Sequence, residues 1–151
     1  MAASLRRTLV LSVNKSAIKK LHMFIEHIAL WCTDIEVMKT FYTKYFSATS
    51  NEGYYNPVKQ FSSYFLSFEK GARLEIMQMP NIPGNANDVI KQYKGFIHFA
   101  VSVGSKEKVD ALTELLRSNG FTIIGEPRIT GDGYYESVIL DPENNRVEIT
   151  V

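Results

Sequence analysis

The feature of this sequence that most constrains its fold is an internal repeat. Two short segments occur twice in the same order, and the copies lie about 70 residues apart. The apolar stretch around His27 resembles the stretch around His98, and Arg73-Leu74-Glu75-Ile76 resembles Arg146-Val147-Glu148-Ile149. Two ordered matches at nearly one period predict that the chain contains a duplicated structural module.

Each copy has the same predicted plan, in which a strand and a helix are followed by three more strands (βαβββ), so the fold class is α+β. Thr33 and Glu36 form a capping-box pattern at the start of the first helix. The second helix is predicted to begin near Ser105 and to end at Gly120. We predict a single domain over 23–151, with modules 23–80 and 95–151 joined by a linker at 81–94.

Residues 1–22 differ from the rest, because they carry five basic residues and no acidic one. We interpret them as an N-terminal extension. It is either a basic targeting segment or a non-native or misassigned start, with Met23 as the natural first residue. Residues Thr8–Val13 could add a strand.

Net charge, hydropathy and cysteine content limit the partners and the cellular location that we expect. The formal net charge of +1 disfavours nucleic acid as a partner, because phosphate binding needs a concentrated basic face. No apolar run approaches the ~20 residues that span a bilayer, so no membrane partner is expected. The single cysteine, Cys32, permits no internal disulfide, which favours a cytoplasmic location. We predict that Cys32 is a small packed residue and not a nucleophile.

Strand alternation brings the repeated histidines and glutamates to one kind of face. In each copy the neighbouring aliphatic residues occupy the opposite face and can pack under the helices. A carboxylate in mid-strand is costly to bury unless it is paired or bound to a metal. Imidazole and carboxylate ligands suit Ni²⁺ or Zn²⁺, with Co²⁺, Mn²⁺ or Fe²⁺ as alternatives. The predicted metal ligands are His27, Glu75, His98 and Glu148.

A simpler interpretation of these residues exists. A lone strand histidine is usually an ordinary core or interface residue, and a lone strand glutamate usually faces solvent or pairs with an adjacent arginine such as Arg73 or Arg146. Recurrence of both residue types at both repeat positions favours the metal site over this interpretation.

The repeated strand histidine, the paired modules and the closing segment Leu140-Asp141-Pro142-Glu143-Asn144-Asn145-Arg146-Val147-Glu148 resemble the glyoxalase, bleomycin-resistance and dioxygenase (vicinal oxygen chelate) superfamily. The resemblance runs from about Phe24 to Val151 and is greatest to glyoxalase I. It implies that the modules form an open, cup-shaped mixed barrel with helices outside and a metal inside. It also implies a homodimer that binds a small-molecule substrate.

The same resemblance implies a metal-dependent lyase or isomerase that stabilises an enediolate, as lactoylglutathione lyase does. Its substrate would be an adduct of an α-oxoaldehyde with glutathione or another thiol. Glu148 is then the expected general base, with Glu75 second. The sequence departs from glyoxalase I after Glu75, where Ile76-Met77-Gln78-Met79-Pro80 replaces an Asn-Trp pair, so the thiol-binding residues cannot be transferred.

Several alternatives remain open on the same scaffold. An epimerase would use the same enolate stabilisation, whereas transferases and extradiol dioxygenases of this superfamily use three ligands, which Glu75 counts against. A metal-free, bleomycin-resistance-type binding protein would not need the four ligand-type residues. The sequence leaves open whether the site lies within one chain or is shared across a dimer.

Overall fold

The computed structural model describes residues 22–86 and 88–151. Most of the predicted extension, including the possible strand Thr8–Val13, therefore lies outside the described residues. The division of the chain into extension, modules and linker stays a prediction. Within the described residues, neither helix has the length and apolar character needed to cross a membrane.

The first half of the described chain forms one mixed sheet covered by one helix. Its elements are β1 (His27–Trp31), α1 (Ile35–Phe46), β2 (Thr49–Ser50), β3 (Tyr54–Asn56), β4 (Phe61–Ser67) and β5 (Arg73–Gln78). The strand order is β1-β5-β4-β2, and β3 pairs with β4. Strand β1 runs parallel to β5, whereas β4 runs antiparallel to it.

The second half repeats this arrangement. Its elements are β6 (His98–Ser102), α2 (Lys106–Ser118), β7 (Ile123–Ile129), β8 (Tyr135–Leu140) and β9 (Arg146–Thr150). The strand order is β6-β9-β8-β7, with β6 parallel to β9. The predicted α+β fold of two βαβββ modules is therefore confirmed, although the histidine strands begin two or three residues later than expected. The short strands β2 and β3 were not predicted, and β3 precedes the turn at Pro57.

Helix α1 begins one residue later than the capping-box prediction. Asp34, and not Thr33, is the N-cap, and its side chain accepts hydrogen bonds from the N–H groups of Glu36 and Val37. The Glu36 carboxylate instead accepts the hydroxyl of Tyr64 at 2.7 Å. The α2 predictions are confirmed, because Ser105 caps its N-terminus and Gly120, at φ 85°, follows its end.

The two modules share one hydrophobic core. Fully buried side chains of α1, such as Met38, lie in the same cluster as Val109 and Leu116 of α2. That cluster also takes the helix-facing aliphatic residues of both central strands, which are Leu74 and Ile76 of β5 and Val147 and Ile149 of β9. Each sheet therefore turns one face to the common core and the other face away from it.

Contacts between the modules are specific as well as apolar. The phenyl ring of Phe41 on α1 meets Phe121 at a centroid distance of 4.9 Å. The hydroxyl of Tyr42 donates to the buried Asp141 carboxylate at 2.8 Å. Glu143, in the β8–β9 turn, accepts the backbone N–H groups of Thr33 and Asp34. These contacts bring the β8–β9 turn of the second module to the N-terminal end of α1.

Candidate functional site

Strand register places one histidine beside one glutamate in each module. In the first, His27 lies opposite Arg73 and Ala29 opposite Glu75, so His27 and Glu75 share a face of adjacent strands. His27 Nε2 is 3.8 Å from Glu75 Oε2. The second module has the same register, and its corresponding pair is closer. His98 Nε2 lies 3.2 Å from Glu148 Oε1.

These separations can be compared with the needs of a divalent cation. Two ligand atoms bonded to one ion at about 2.1 Å lie roughly 3.0 to 3.4 Å apart. The separation in the His98–Glu148 pair falls in this interval, and that in the His27–Glu75 pair is slightly wider. Imidazole nitrogen and carboxylate oxygen are also donors that suit the predicted metals. Each pair therefore fits as half of a four-ligand metal site.

The described chain does not bring the two halves together. Residues 22–86 and 88–151 contain no group of three or more histidine, cysteine or acidic side chains placed to hold a metal ion. Each pair lies on the sheet face that points away from the shared core. The sequence correctly paired each histidine with its glutamate in register, but it could not tell that the pairs are apart.

Both pair-bearing faces are open to solvent in one chain. The side chains of His27 and His98 are each 40% exposed, whereas those of Glu75 and Glu148 are 16% and 18% exposed. Large apolar side chains are also exposed on or beside these faces: Ile25, Trp31, Tyr54, Phe96 and Tyr134. Exposed apolar area of this kind is typical of a surface that another molecule covers.

The histidine of the first module is surrounded by a ring of contacts. The Glu26 carboxylate lies 2.5 Å from His27 Nδ1 and also forms an ion pair with Arg73. The Arg73 guanidinium lies 4.1 Å from the ring centroid of Phe65. That ring meets the imidazole of His27 edge-on at 5.4 Å. His27 is thus held by both a carboxylate and an aromatic ring.

In the second module, the glutamate has the distinctive surroundings. Glu136 on β8 shares the face of Glu148 and pairs with Arg128 at 3.3 Å. Register shifts between β7 and β8 put Arg128 opposite Glu136, on the site face. Burial raises the pKa of Glu148, as does the negative charge of Glu136, while the charges of His98 and Arg128 oppose the rise.

Gln78, which follows Glu75 on β5, is engaged with the start of α1. Its side-chain oxygen accepts the N–H of Ile35 at 3.2 Å, so it satisfies the first turn of α1. It lines a cleft of about 1250 Å³ that also contacts Trp31 and His98. The cleft runs between the end of β1 and the start of β6, beside the connection between the two modules.

Cys32, Tyr64 and Tyr135 have structural roles. Cys32 is buried, and burial raises the pKa of its thiol to about 12, as expected for a packed residue. The hydroxyl of Tyr135 donates to Asp110 at 2.7 Å, so this tyrosine, like Tyr64, is engaged with a helix. Tyr54, Tyr55 and Tyr134 are exposed.

Sequence analysis missed four acidic residues that the structure shows to be engaged. Glu26 precedes His27 directly and was visible only as a charge at the edge of a strand. Glu136 alternates with Val138 and Leu140 on one face of β8, which was a usable signal. The sequence around Asp141 and Glu143 predicts a turn. Their contacts with α1 and the residues before it are not indicated by the neighbouring sequence.

Comparisons with known proteins agree with this architecture. The profile of the Glyoxalase/Bleomycin resistance protein/Dioxygenase superfamily matches residues 24–149. Among curated proteins, no sequence matches this chain. Solved structures do match, at identities that establish the fold alone.

Three of these structures illustrate the range. Glyoxalase I from Zea mays has a TM-score of 0.68 at 21% identity, over 84% of this chain and 44% of that one. A glyoxalase family protein from Enterococcus faecalis has a TM-score of 0.67 at 21% identity, over 84% and 96%. The trypanothione-dependent glyoxalase I of Leishmania major has a TM-score of 0.66 at 18% identity, over 83% and 84%. This chain therefore spans less than half of the Zea mays enzyme.

Proposed function

Because the chain belongs to the Glyoxalase/Bleomycin resistance protein/Dioxygenase superfamily, we propose that it is a subunit of a metal-dependent lyase or isomerase of the glyoxalase type. The observation that carries the proposal is the recurrence of a histidine–glutamate pair at the same register in both modules. Each pair is spaced close to what two ligands of one ion require, so two such pairs could hold a single ion together. A merely structural role would not require both residue types at both positions.

The proposed site is completed by a second copy of the chain. His27 and Glu75 of one subunit would meet His98 and Glu148 of its partner across a two-fold axis, giving two equivalent sites per homodimer. Supporting this are the open faces that carry the pairs and the exposed apolar side chains around them, including Trp31. Within one chain, the described residues contain no group of three histidine, cysteine or acidic side chains placed to hold an ion.

The chemistry follows from the donor set. A divalent cation held there, with Ni²⁺ or Zn²⁺ favoured, would supply Lewis-acid stabilisation of negative charge on two neighbouring substrate oxygens. Glu148 is the proposed general base and acid, moving a proton between adjacent carbons of the substrate. Its raised pKa supports this role, because a carboxyl with higher proton affinity is a stronger base. Glu75 is proposed chiefly as a ligand.

The proposed substrate is an α-oxoaldehyde–thiol adduct, with glutathione or another small thiol as co-substrate. Ordinary globular composition and a small positive net charge fit a small-molecule partner. A buried, unpaired Cys32 fits a reducing compartment, and we propose the cytoplasm.

Metal content in subunit mixtures tests the site. Purified protein, His27→Ala and Glu148→Ala are each loaded with Zn²⁺ or Ni²⁺, desalted and measured by elemental analysis. The wild type is expected to retain one ion per chain, and each variant to lose it. When the two variants are unfolded, mixed equally and refolded, half of the dimers are hybrids with one intact site, so about a quarter of the metal should return.

The outcomes separate the alternatives. Restored metal supports a site shared between subunits, whereas loss in both variants without restoration supports a site within one chain. A wild type that takes up no Ni²⁺, Zn²⁺ or Co²⁺ would contradict the lyase and support a metal-free binding protein. With metal established, formation of a thioester from the methylglyoxal–glutathione adduct tests the reaction, and absence of turnover would redirect the search to epimerase substrates.

A further inference from the structure

Glu26 occupies a position that carries no acidic residue in the second module. It precedes β1, and its backbone carbonyl accepts the N–H of Arg73 at 2.9 Å, so it is aligned with the β1–β5 ladder. Its side chain then reaches both His27 Nδ1 and the Arg73 guanidinium. In the second module the corresponding residue is the apolar Ile97. The described part of the chain offers no hydrogen-bond partner to His98 Nδ1.

The contact determines which imidazole nitrogen carries the proton. An ionised carboxylate only accepts hydrogen bonds. Glu26 is half exposed and forms an ion pair with the Arg73 guanidinium, so it acts here as a carboxylate acceptor. Nδ1 must then be the donor, and in the neutral imidazole the lone pair lies on Nε2. That nitrogen faces Glu75, the other member of the pair.

Arg73 and Phe65 hold the arrangement in place. The Arg73 guanidinium pairs with Glu26 and stacks over the Phe65 ring, and the same ring meets the edge of the His27 imidazole. The four side chains therefore form a closed circuit, in which rotation of the imidazole would break a hydrogen bond and an aromatic contact together. Exposed ion pairs contribute little to stability by themselves, so the expected effect of the circuit is on orientation.

We propose that Glu26 is a positioning residue that keeps His27 in the Nδ1–H tautomer, with Nε2 free for a divalent cation, and that Arg73 orients Glu26. The inference rests on the proposed metal-dependent function for its biological purpose, although the tautomer itself does not. Carboxylates that accept the second N–H of a ligating histidine typically change metal affinity 10- to 100-fold when they are removed. His98 would ligate without such support, which makes the two half-sites unequal.

The test uses the full-length, metal-free protein with ¹⁵N-labelled histidine. Long-range ¹H–¹⁵N NMR spectra are recorded well above the ordinary pKa of imidazole, where each neutral ring shows which nitrogen is protonated. In the wild type His27 should be the Nδ1–H form. Glu26→Ala should shift it towards the Nε2–H form, while the His98 resonances stay unchanged. Ile97→Ala is the matched control and should alter neither ring.

Affinity for Zn²⁺ in the same variants gives the second measurement. Glu26→Ala should weaken binding about 10- to 100-fold, with Glu26→Gln intermediate and Ile97→Ala unchanged. An Nε2–H form of His27 in the wild type, or an unchanged tautomer in Glu26→Ala, would overturn the proposal. If the wild type bound no divalent cation, the proposed function would fail, but the tautomer comparison would still decide the role of Glu26.

Discussion

The two modules place a histidine and a glutamate in the same register, yet they surround those residues differently. In the first module the histidine is the supported member, through Glu26 and the ring of Phe65. In the second the glutamate is the perturbed member, because burial and the nearby Glu136 raise the pKa of Glu148. The residue aligned with Glu136 in the first module is Ser63, since both lie opposite the residue two positions beyond the glutamate.

The two modules therefore share the backbone positions of the proposed ligands but differ in the side chains that surround those ligands. A backbone ladder determines which side chains share a face, so the framework survives many substitutions around it. The side chains that contact the proposed ligands determine the protonation and orientation of those ligands, and these contacting side chains can differ between the modules. We interpret the first module as the one that orients its histidine and the second as the source of the base.

The largest expected effect is on catalysis, when the carboxylates of Glu148 and Glu75 are each replaced by an amide. If Glu148 is the base, Glu148→Gln should lower kcat about 10²- to 10⁴-fold at saturating metal. Glu75→Gln should act mainly through weaker metal binding, so much of its loss should be recovered at high metal concentration. Steady-state kinetics across a metal titration checks this. Equal, metal-independent losses in both variants would remove the proposed division of roles.

The turns of the two modules should also differ in importance. Asp141 is buried and accepts hydrogen bonds from Tyr42, Asn145 and the backbone of Glu143, whereas Glu69 in the corresponding turn is exposed. Asp141→Ala leaves several of these donors unpaired, and we expect it to lower the free energy of unfolding by about 2–4 kcal/mol.

Urea denaturation measures this effect, with Glu69→Ala as the control expected to stay within about 0.5 kcal/mol of wild type. Comparable losses in the two variants would show that the turns contribute equally. In that case the contact of Asp141 with α1 would not be the reason that its turn matters.

A smaller effect is expected on the pKa of Glu148. Glu136→Gln removes a negative charge that raises the pKa of Glu148, and it also releases Arg128 from its partner. Both changes favour the ionised form, so the pKa of Glu148 in the metal-free protein should fall. A carboxyl-carbon NMR titration follows it directly. Ser63→Ala, at the equivalent position in the other module, should leave that pKa unchanged, and a rise in Glu136→Gln would contradict the assignment.

The smallest effect on stability is expected at Cys32, whose position is equivalent in the two modules. Cys32 and Val103 are equivalent, because each follows the histidine strand and donates its backbone N–H to the neighbouring strand. Cys32→Val should change stability by less than about 1.5 kcal/mol and leave metal retention unchanged.

Thiol reactivity offers an independent check on Cys32. With a pKa near 12, the buried thiol of the folded protein should react with iodoacetamide far more slowly at pH 8 than in urea. Rapid alkylation of the folded chain, or loss of metal in Cys32→Val, would give this residue a role in the site.

Much of the architecture was accessible from the sequence, because local patterns encode it. Alternation along β1 and β5 put His27 and Glu75 on one face, and the duplication extended that inference to His98 and Glu148. The N-cap of α2 at Ser105 was equally local. The N-cap of α1 was missed because Thr33 and Asp34 are both good caps and the local sequence does not distinguish them. Glu143, a residue of the other module, accepts the N–H groups of both, and no local pattern indicates that contact.

The sequence by itself determined the repeated module, the face on which each histidine–glutamate pair lies, and the superfamily, since strand period and internal repetition are properties of neighbouring residues. The tertiary structure alone decided that both helix-facing surfaces share one core and that each pair lies on the face turned away from it. It also decided which carboxylates reach them, because Glu26 and Glu136 act through side-chain contacts across strands. The spacing of apolar residues along a strand does not indicate how two packed sheets orient their outer faces. That orientation is the reason that the proposed site includes a second subunit.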